Sequence, residues 1–268
     1  MGTGWAIGLM LAVAPSTLQQ TVPHSPTPPT TSRDDVVVEG IRVPGDEIAP
    51  AGDVSGGDPR ESAVANRIKL ELATRVAKCA VRGGAAAIEQ LRSVVDGRPN
   101  DATQRHAQGR LLQMHVACNG DTSVTQANAI EIGTSLYDRG ALTIEAMRRF
   151  APDMHLTRAD TRNASVQMRL DQREVPRNRQ RLPVDQRYFR VAICMVRLQP
   201  TLSVRLALED RDPAATRRIE SAIVSGARIC VGDARKVLFD ATQFRLYIAD
   251  AVYRWVVAAR GVDSLIPA

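Results

Sequence analysis

A short segment of this sequence occurs twice, and each occurrence contains a cysteine. Residues 75–82 (RVAKCAVR) and 190–197 (RVAICMVR) are identical at six of eight positions, at a constant offset of 115. A second cysteine follows each segment, as Cys118 in the sequence CNGD and Cys230 in the sequence CVGD. Ordered matches of this kind are the signature of an internal repeat.

A third and looser match fixes the extent of the repeat. Residues 144–149 (IEAMRR) correspond to residues 249–254 (ADAVYR), again in the same order. We therefore predict two tandem helical units, unit A over residues 61–155 and unit B over residues 185–268. Residues 156–184 would be an arginine-rich linker between them.

The apolar spacing within each unit is that of helices. One stripe of the first helix of unit A contains Val64, Ile68, Leu72, Val76 and Cys79. Asp101 and Asp212 are suited to cap the third helix of each unit, and Pro213 stands at the first helical position after Asp212. Residues 202–208 fit a helix or an alternating strand, and both are left open. The predicted class is mainly α, with two tandem disulfide-stapled helical units after a disordered N-terminal tether.

The duplication also predicts how the four cysteines pair. In each unit the first cysteine lies on the first helix and the second at the end of the third, so the helical hairpin between them would bring the two together. Of the three possible pairings, this selects Cys79–Cys118 and Cys194–Cys230. Each bond would restrain the unfolded chain by about 4 kcal/mol on the loop-entropy estimate. Buried free thiols in a cytosolic helical protein are the alternative.

The N-terminal region differs in composition from the rest. Residues 1–14 contain the apolar run WAIGLMLAVA, which is too short to span a bilayer, where about 20 residues are needed, and is typical of a secretory signal. Residues 15–60 are rich in Pro, Thr, Ser, Gly and Asp and predict a disordered acidic tether. Within it, the sequence DVVVEGIRVP (residues 35–44) is interpreted as a solitary strand. A signal and an even number of cysteines favour a periplasmic or secreted protein.

The sequence lacks the familiar catalytic and cofactor motifs. It contains no GxSxG nucleophile elbow, no HExxH, no phosphate-binding glycine loop and no CxxC. We therefore expect no catalytic residue, no metal site and no cofactor. An enzyme of unrecognised type is left open.

Two carboxylates occupy matching positions near the ends of the units. Glu145 and Asp250 each have an arginine four residues later, Arg149 and Arg254, which places each pair on one helix face. Alternatively, the carboxylates are partly buried against arginines of the first helices: Arg82 or Arg75 for Glu145, and Arg197 or Arg190 for Asp250. In both cases they are interpreted as repeated structural ion pairs that fix helix register. An acid–base pair formed by the two carboxylates is a further alternative.

The proposed linker concentrates positive charge. Residues 158–190 contain nine arginines against four acidic residues, a net charge of +5, and Pro176 and Pro183 interrupt the segment. A solvated linker is predicted. Because guanidinium groups suit phosphate and carboxylate, an anion-binding role is the alternative for Arg173, Arg177, Arg179 and Arg181.

Four motifs resemble those of a recurrent group of uncharacterised exported helical proteins of sphingomonad-type bacteria. They are the Cys-x-x-Arg of the first helix, LEDRDPA (residues 208–214), the late Cys-x-Gly and ADAVYR (residues 249–254). The resemblance covers both units and is clearer in unit B, since unit A has Arg148 where the pattern has an aromatic residue. It implies export and brings no catalytic residue.

These observations predict a non-catalytic interaction or structural module of the periplasm or cell envelope. Its partner would be an unidentified envelope protein, and no integral membrane segment is expected after signal removal. The alternative is a binder of an anionic polymer (lipopolysaccharide, acidic glycan or nucleic acid) through the arginine-rich linker.

Overall fold

Helices make up most of the described part of the chain, which confirms the predicted mainly α class. The computed structural model describes residues 35–39, 59–119, 136–209, 212–231 and 236–268, and residues Thr31–Ala268 belong to one compact unit. The predicted signal, residues 1–14, and most of the predicted tether, residues 15–60, lie outside the described residues.

The elements follow one another with short connections. The helices are α1 (Pro59–Ala80), α2 (Ala85–Asp96), α3 (Ala102–Met114), α4 (Leu136–Phe150), α5 (Arg158–Arg162), α6 (Ala164–Asn178), α7 (Pro183–Leu198), α8 (Pro200–Leu208), α9 (Pro213–Gly226) and α10 (Ala241–Arg260). A 3-10 turn follows α3 at Val116–Asn119, and another follows α9 at Arg228–Val231. The strands are β1 (Asp35–Glu39) and β2 (Lys236–Asp240). Residues 202–208, which fitted two patterns, are helical.

Side-chain caps set several helix starts. The carboxylate of Asp101 accepts a hydrogen bond from Thr103 N, and that of Asp212 accepts one from Ala214 N. Both predicted caps are therefore confirmed, and each satisfies a backbone donor that the first helical turn leaves unpaired.

Two helices, α4 and α10, lie in the interior. Every residue from 137 to 147 and from 246 to 258 is buried, as expected of a helix surrounded by others. Helix α10 packs against α1, α4, α6, α7 and α8, so both predicted units contribute to one core. Where α4 meets α10, a Cβ on Gly140 would lie 2.5 Å from Leu246 Cδ2. Glycine therefore permits this close approach.

The buried face of α1 differs from the predicted stripe. Val76 is buried, but Ile68 is 48% exposed, and Ala73 and Ala77 are buried in their place. The stripe was wrong in this part because large apolar residues were favoured over alanine. Alanines allow α1 to pack closely on α4, and that contact decides which residues are inside.

The predicted linker is part of the helical body. It contains α5 and α6, and α6 packs on α10 with Val166, Leu170 and Glu174 buried. Pro176 lies in the last turn of α6, which ends two residues later at Asn178, and Pro183 opens α7 at a position that needs no donor. The prediction of a solvated linker is wrong for this segment, because charged residues occupy the helix face that packs inward.

Strand β1 has a partner. It pairs antiparallel with β2, with Val37 opposite Leu238 and Glu39 opposite Lys236. The interpretation of residues 35–39 as a solitary strand is therefore wrong, since the pairing joins the N-terminal region to unit B.

Both disulfides join the cysteines that the duplication selected. Cys79 bonds Cys118 with a Cα–Cα distance of 6.5 Å, and Cys194 bonds Cys230 with a Cα–Cα distance of 5.5 Å. No cysteine is free. Each bond ties a helix, α1 or α7, to the 3-10 turn that follows the next two helices.

None of the described helices alone has the length and hydropathy of a membrane span. Together, α7 and α8 meet those two criteria, but they are bent by 117° at their junction.

Candidate functional site

The largest group of buried charges lies where α2, α4, α6, α7 and α10 meet. We call it the arginine–carboxylate network, and its members are Arg139, Arg177, Arg181, Arg254, Asp96, Glu174, Asp185 and Asp250. It contains as many arginines as carboxylates. The side chain of Arg181 is fully buried, and that of Asp250 is 9% exposed.

Asp250 is the centre of this network. Arg181 Nη2 donates to Asp250 Oδ2 at 2.5 Å, and Arg254 Nε donates to Asp250 Oδ1 at 3.0 Å. Burial alone would raise the pKa of Asp250, but the guanidinium groups of Arg254 and Arg181 outweigh it, and its pKa lies well below the usual range. The carboxylate is therefore ionised at neutral pH and unsuited to proton transfer there.

Arg181 is held on three sides. Besides Asp250, Asp185 Oδ2 accepts from its Nη1 at 3.3 Å, and the guanidinium lies 3.8 Å from the ring centroid of Phe189. Stacking on an aromatic ring and pairing with two carboxylates is an environment suited to buried arginine.

Two arginines cap the C-terminal end of α2. Arg177 donates to the main-chain oxygens of Asp96 at 3.1 Å and Val95 at 3.2 Å, and Arg254 Nη2 donates to Val95 O at 2.5 Å. The last carbonyls of a helix lack intrahelical donors and carry partial negative charge. The arginines satisfy these acceptors and join a helix of unit A to α6 and α10.

Glu174 lies between the same two guanidinium groups. Its carboxylate is 3.7 Å from Arg177 Nε and 3.7 Å from Arg254 Nε. Burial, followed by repulsion from Arg254, lowers the pKa of Arg177 to about 9, although Glu174 opposes the shift. The cost of burying Arg177 is therefore only partly offset by its neighbours.

Tyr253 connects the network to the C-terminal tail. Its hydroxyl donates to Asp96 Oδ1 at 2.9 Å and accepts a hydrogen bond from Leu265 N at 3.2 Å. Burial and the adjacent Asp96 raise the pKa of Tyr253 to about 12. The phenol is therefore neutral and serves as a structural hydrogen-bonding group.

Arg139, at the start of α4, differs from the other arginines of the network. It is 7% exposed, yet no described residue accepts a hydrogen bond from its guanidinium or forms an ion pair with it. Burial, followed by repulsion from Arg181, lowers its pKa, while Asp250 and Asp185 oppose the shift.

The predicted ion pair of Glu145 has a different partner. Arg148 Nη1 donates to Glu145 Oε1 at 2.6 Å, three residues away, and Arg148 Nη2 donates to Leu208 O at 2.8 Å. Arg149, predicted as the partner, is exposed. The prediction was wrong here because the contact of α4 with α8 directs Arg148 inward.

The prediction for Asp250 is partly right. Its pair with Arg254 forms as expected, whereas the stronger link to Arg181 was missed. The arginines predicted from the first helices are all exposed: Arg75, Arg82, Arg190 and Arg197. Glu145 and Asp250 have unlike surroundings, so the idea of one ion pair repeated in both units is wrong, and the structure does not pair the two carboxylates with each other.

The four arginines considered for anion binding are not one surface. Arg177 and Arg181 are buried in the network. Arg173 donates to Val262 O at 2.8 Å and to Asp263 O, while Arg179 is exposed. Three of the four are thus engaged by acceptors of the protein itself.

Residues Leu170, Glu174, Arg177 and Arg181 follow at spacings of four, three and four. That is the period of a buried helix face, and it was the available signal for the network, but the charges obscured it. The described residues contain no group of three or more His, Cys, Asp or Glu placed to hold a metal ion.

No family model, curated protein or solved structure matches this chain. Its function therefore has to be inferred from the geometry of the folded chain.

Proposed function

We propose that this protein is an exported, non-catalytic structural or interaction module of the periplasm or cell envelope. The observation that carries the proposal is the pair of disulfides, which bind all four cysteines. Disulfides persist in oxidising compartments and are rare in the cytosol. In this proposal, residues 1–14 act as a secretory signal and residues 15–60 as a tether.

The chemistry of the network supports a structural role. Asp250 is held ionised by two arginines, and Arg177 and Arg254 are spent on carbonyls at the end of α2. Groups arranged in this way fix the relative positions of helices, and they lack the mobile proton that general acid–base catalysis requires.

We further propose that the chain arose by duplication of a stapled helical unit. In both halves three helices are followed by a 3-10 turn and then by an interior helix, α4 or α10. The first cysteine lies on the first of these helices in each half, and the second lies in the turn. The similar segments around Cys79 and Cys194 support the same origin.

Binding of an anionic polymer through the linker is not carried forward, because Arg177 and Arg181 are buried and Arg173 bonds the C-terminal tail. An enzyme of unrecognised type has no described constellation to favour it.

Export is tested with a fusion of the full chain to alkaline phosphatase, which is active only after export to an oxidising compartment. We expect phosphatase activity from the fusion and loss of that activity when residues 1–14 are deleted. The deletion has a matched control, replacement of the same residues with an established signal peptide, which should restore activity.

The thiol state is measured on the same cells by rapid alkylation and intact-mass analysis. Exported chain should carry no alkylated cysteine without reductant and four with it. Four alkylated thiols without reductant, together with a cytosolic location, would overturn the proposal.

A further inference from the structure

Arg139 lies beside the closest contact between the two interior helices. Gly140, the next residue of α4, approaches Leu246 of α10 so closely that a Cβ would meet its side chain at 2.5 Å. Tyr247 follows Leu246 on α10. Burial and Asp185, which bonds the Tyr247 hydroxyl, raise the pKa of that phenol. The guanidinium of Arg139 is thereby held near Tyr247, Asp185 and Asp250 by rigid elements.

The carboxylates of the network are already engaged by other arginines. Asp250 is bonded by Arg181 and Arg254, and Asp185 is bonded by Arg181. None of them lies within ion-pair distance of Arg139. The network thus satisfies three arginines and leaves the fourth without a partner.

An arginine that is 93% buried and unpaired is costly. Removing a charge from water is offset only when an opposite charge or hydrogen-bond acceptors replace the solvent. Buried polar groups without a protein partner therefore point to a bound ion, water or ligand. Because the neighbouring cation Arg181 adds positive potential, an anion is the ligand that this position favours.

We propose that Arg139 binds the carboxylate group of a small ligand at the contact between α4 and α10. A planar guanidinium matches a carboxylate with two parallel hydrogen bonds. The single unpaired charge selects a monoanion, since Asp185 and Asp250 would repel the extra charge of a phosphate dianion. The nearby phenol of Tyr247 is neutral and adds no repulsion.

This inference goes beyond the proposed function and does not depend on it. A structural module with a ligand at its centre would be stabilised by that ligand, because anything that binds only the folded state raises its stability. The export experiment and the binding experiment can therefore fail separately.

The test compares wild type with Arg139→Met and, as a matched control, Arg179→Met, which removes an exposed arginine from the same protein. Purified full chain is dialysed into a buffer containing chloride as its only small anion. Melting temperature and heat of binding are then measured against sodium acetate, sodium benzoate and sodium phosphate. Acetamide, the neutral isostere of acetate, is the ligand control, and sodium chloride keeps the ionic strength constant.

We expect a carboxylate to raise the melting temperature of wild type and Arg179→Met, with acetamide having no effect. In Arg139→Met the affinity should fall at least about tenfold, equivalent to 1.4 kcal/mol. Without ligand, Arg139→Met should be at least as stable as wild type, because methionine replaces an unpaired buried charge with an apolar side chain.

Three results would overturn the proposal. One is an equal carboxylate response in wild type and Arg139→Met. Another is wild type that responds to neither carboxylate. The third is a phosphate response equal to or stronger than that of the carboxylates, which would show that the site does not select a monoanionic carboxylate.

Discussion

Arg181 and Asp250 are 69 positions apart in the chain, and they form a buried ion pair with 2.5 Å between Nη2 and Oδ2. Arg181 lies in the connection between α6 and α7, whereas Asp250 lies on the interior helix α10. The pair therefore joins the segment predicted as a solvated linker to the centre of the core. It also makes the position of α10 depend on charge as well as on apolar packing.

Replacing Asp250 with Asn should destabilise the protein strongly. The substitution leaves Arg181 and Arg254 buried without their shared carboxylate, and breaking a buried pair in this way costs about 3–5 kcal/mol. Urea denaturation followed by circular dichroism measures the loss. Asp153→Asn is the control, since Asp153 pairs with Arg260 at the surface and its replacement should change nothing measurable. Equal effects of the two substitutions would contradict this role of Asp250.

The same carboxylate makes a contribution to acid stability. The pKa of Asp250 is lower in the folded state than in the unfolded chain. The resulting stability is complete above the unfolded value of 3.8 and is lost as the pH falls below it. Unfolding free energies measured from neutral pH to pH 3 should therefore fall less steeply in Asp250→Asn than in wild type. Parallel pH profiles would disprove the assignment.

The disulfide in unit B should stabilise the folded chain mainly through the unfolded state. Cys194 and Cys230 are 36 positions apart, and opening a loop of that size costs about 4 kcal/mol on the chain-entropy estimate. The double substitution of both cysteines with Ser should lower the urea midpoint. Reductant should lower it further, because Cys79–Cys118 remains to be broken. A midpoint unaffected by reductant would show that this second bond contributes nothing.

Alkaline pH should destabilise the protein through its buried tyrosines. Burial raises the pKa of Tyr137 and Tyr253 from 10.0 to about 12. Between those values the unfolded chain loses phenolic protons that the folded chain retains, so stability falls as the pH rises. Arg177, with its lowered pKa, acts in the opposite direction from about 9 upward. Absorbance of tyrosinate, recorded with the unfolding transition, should show late ionisation that becomes smaller in Tyr253→Phe.

Gly140→Ala tests the close contact of α4 and α10. The added Cβ would lie 2.5 Å from Leu246 Cδ2, and overpacking of a well-filled core typically costs about 1–3 kcal/mol. Gly109→Ala in α3 is the matched control, because nothing lies within 4 Å of its added Cβ. Since alanine is the better helix former, Gly109→Ala should stabilise by about 0.5–1 kcal/mol. Thermal denaturation of both variants measures the difference in sign.

Local patterns determined much of this protein. The helical class, the caps at Asp101 and Asp212 and the joining of Cys79 to Cys118 were all predictable from residue type, spacing and the repeated segment. Such features depend on neighbours in sequence or on an internal comparison, so the sequence contains the information they require.

Only the tertiary structure decided which charges are inside. Arg181 and Arg179 are two residues apart in an arginine-rich segment, but one is buried against Asp250 and the other is exposed. Hydropathy treats both as surface residues. The distinction arises from α6 packing on α10, where a distant carboxylate and the carbonyls at the end of α2 replace the water that an arginine would otherwise require.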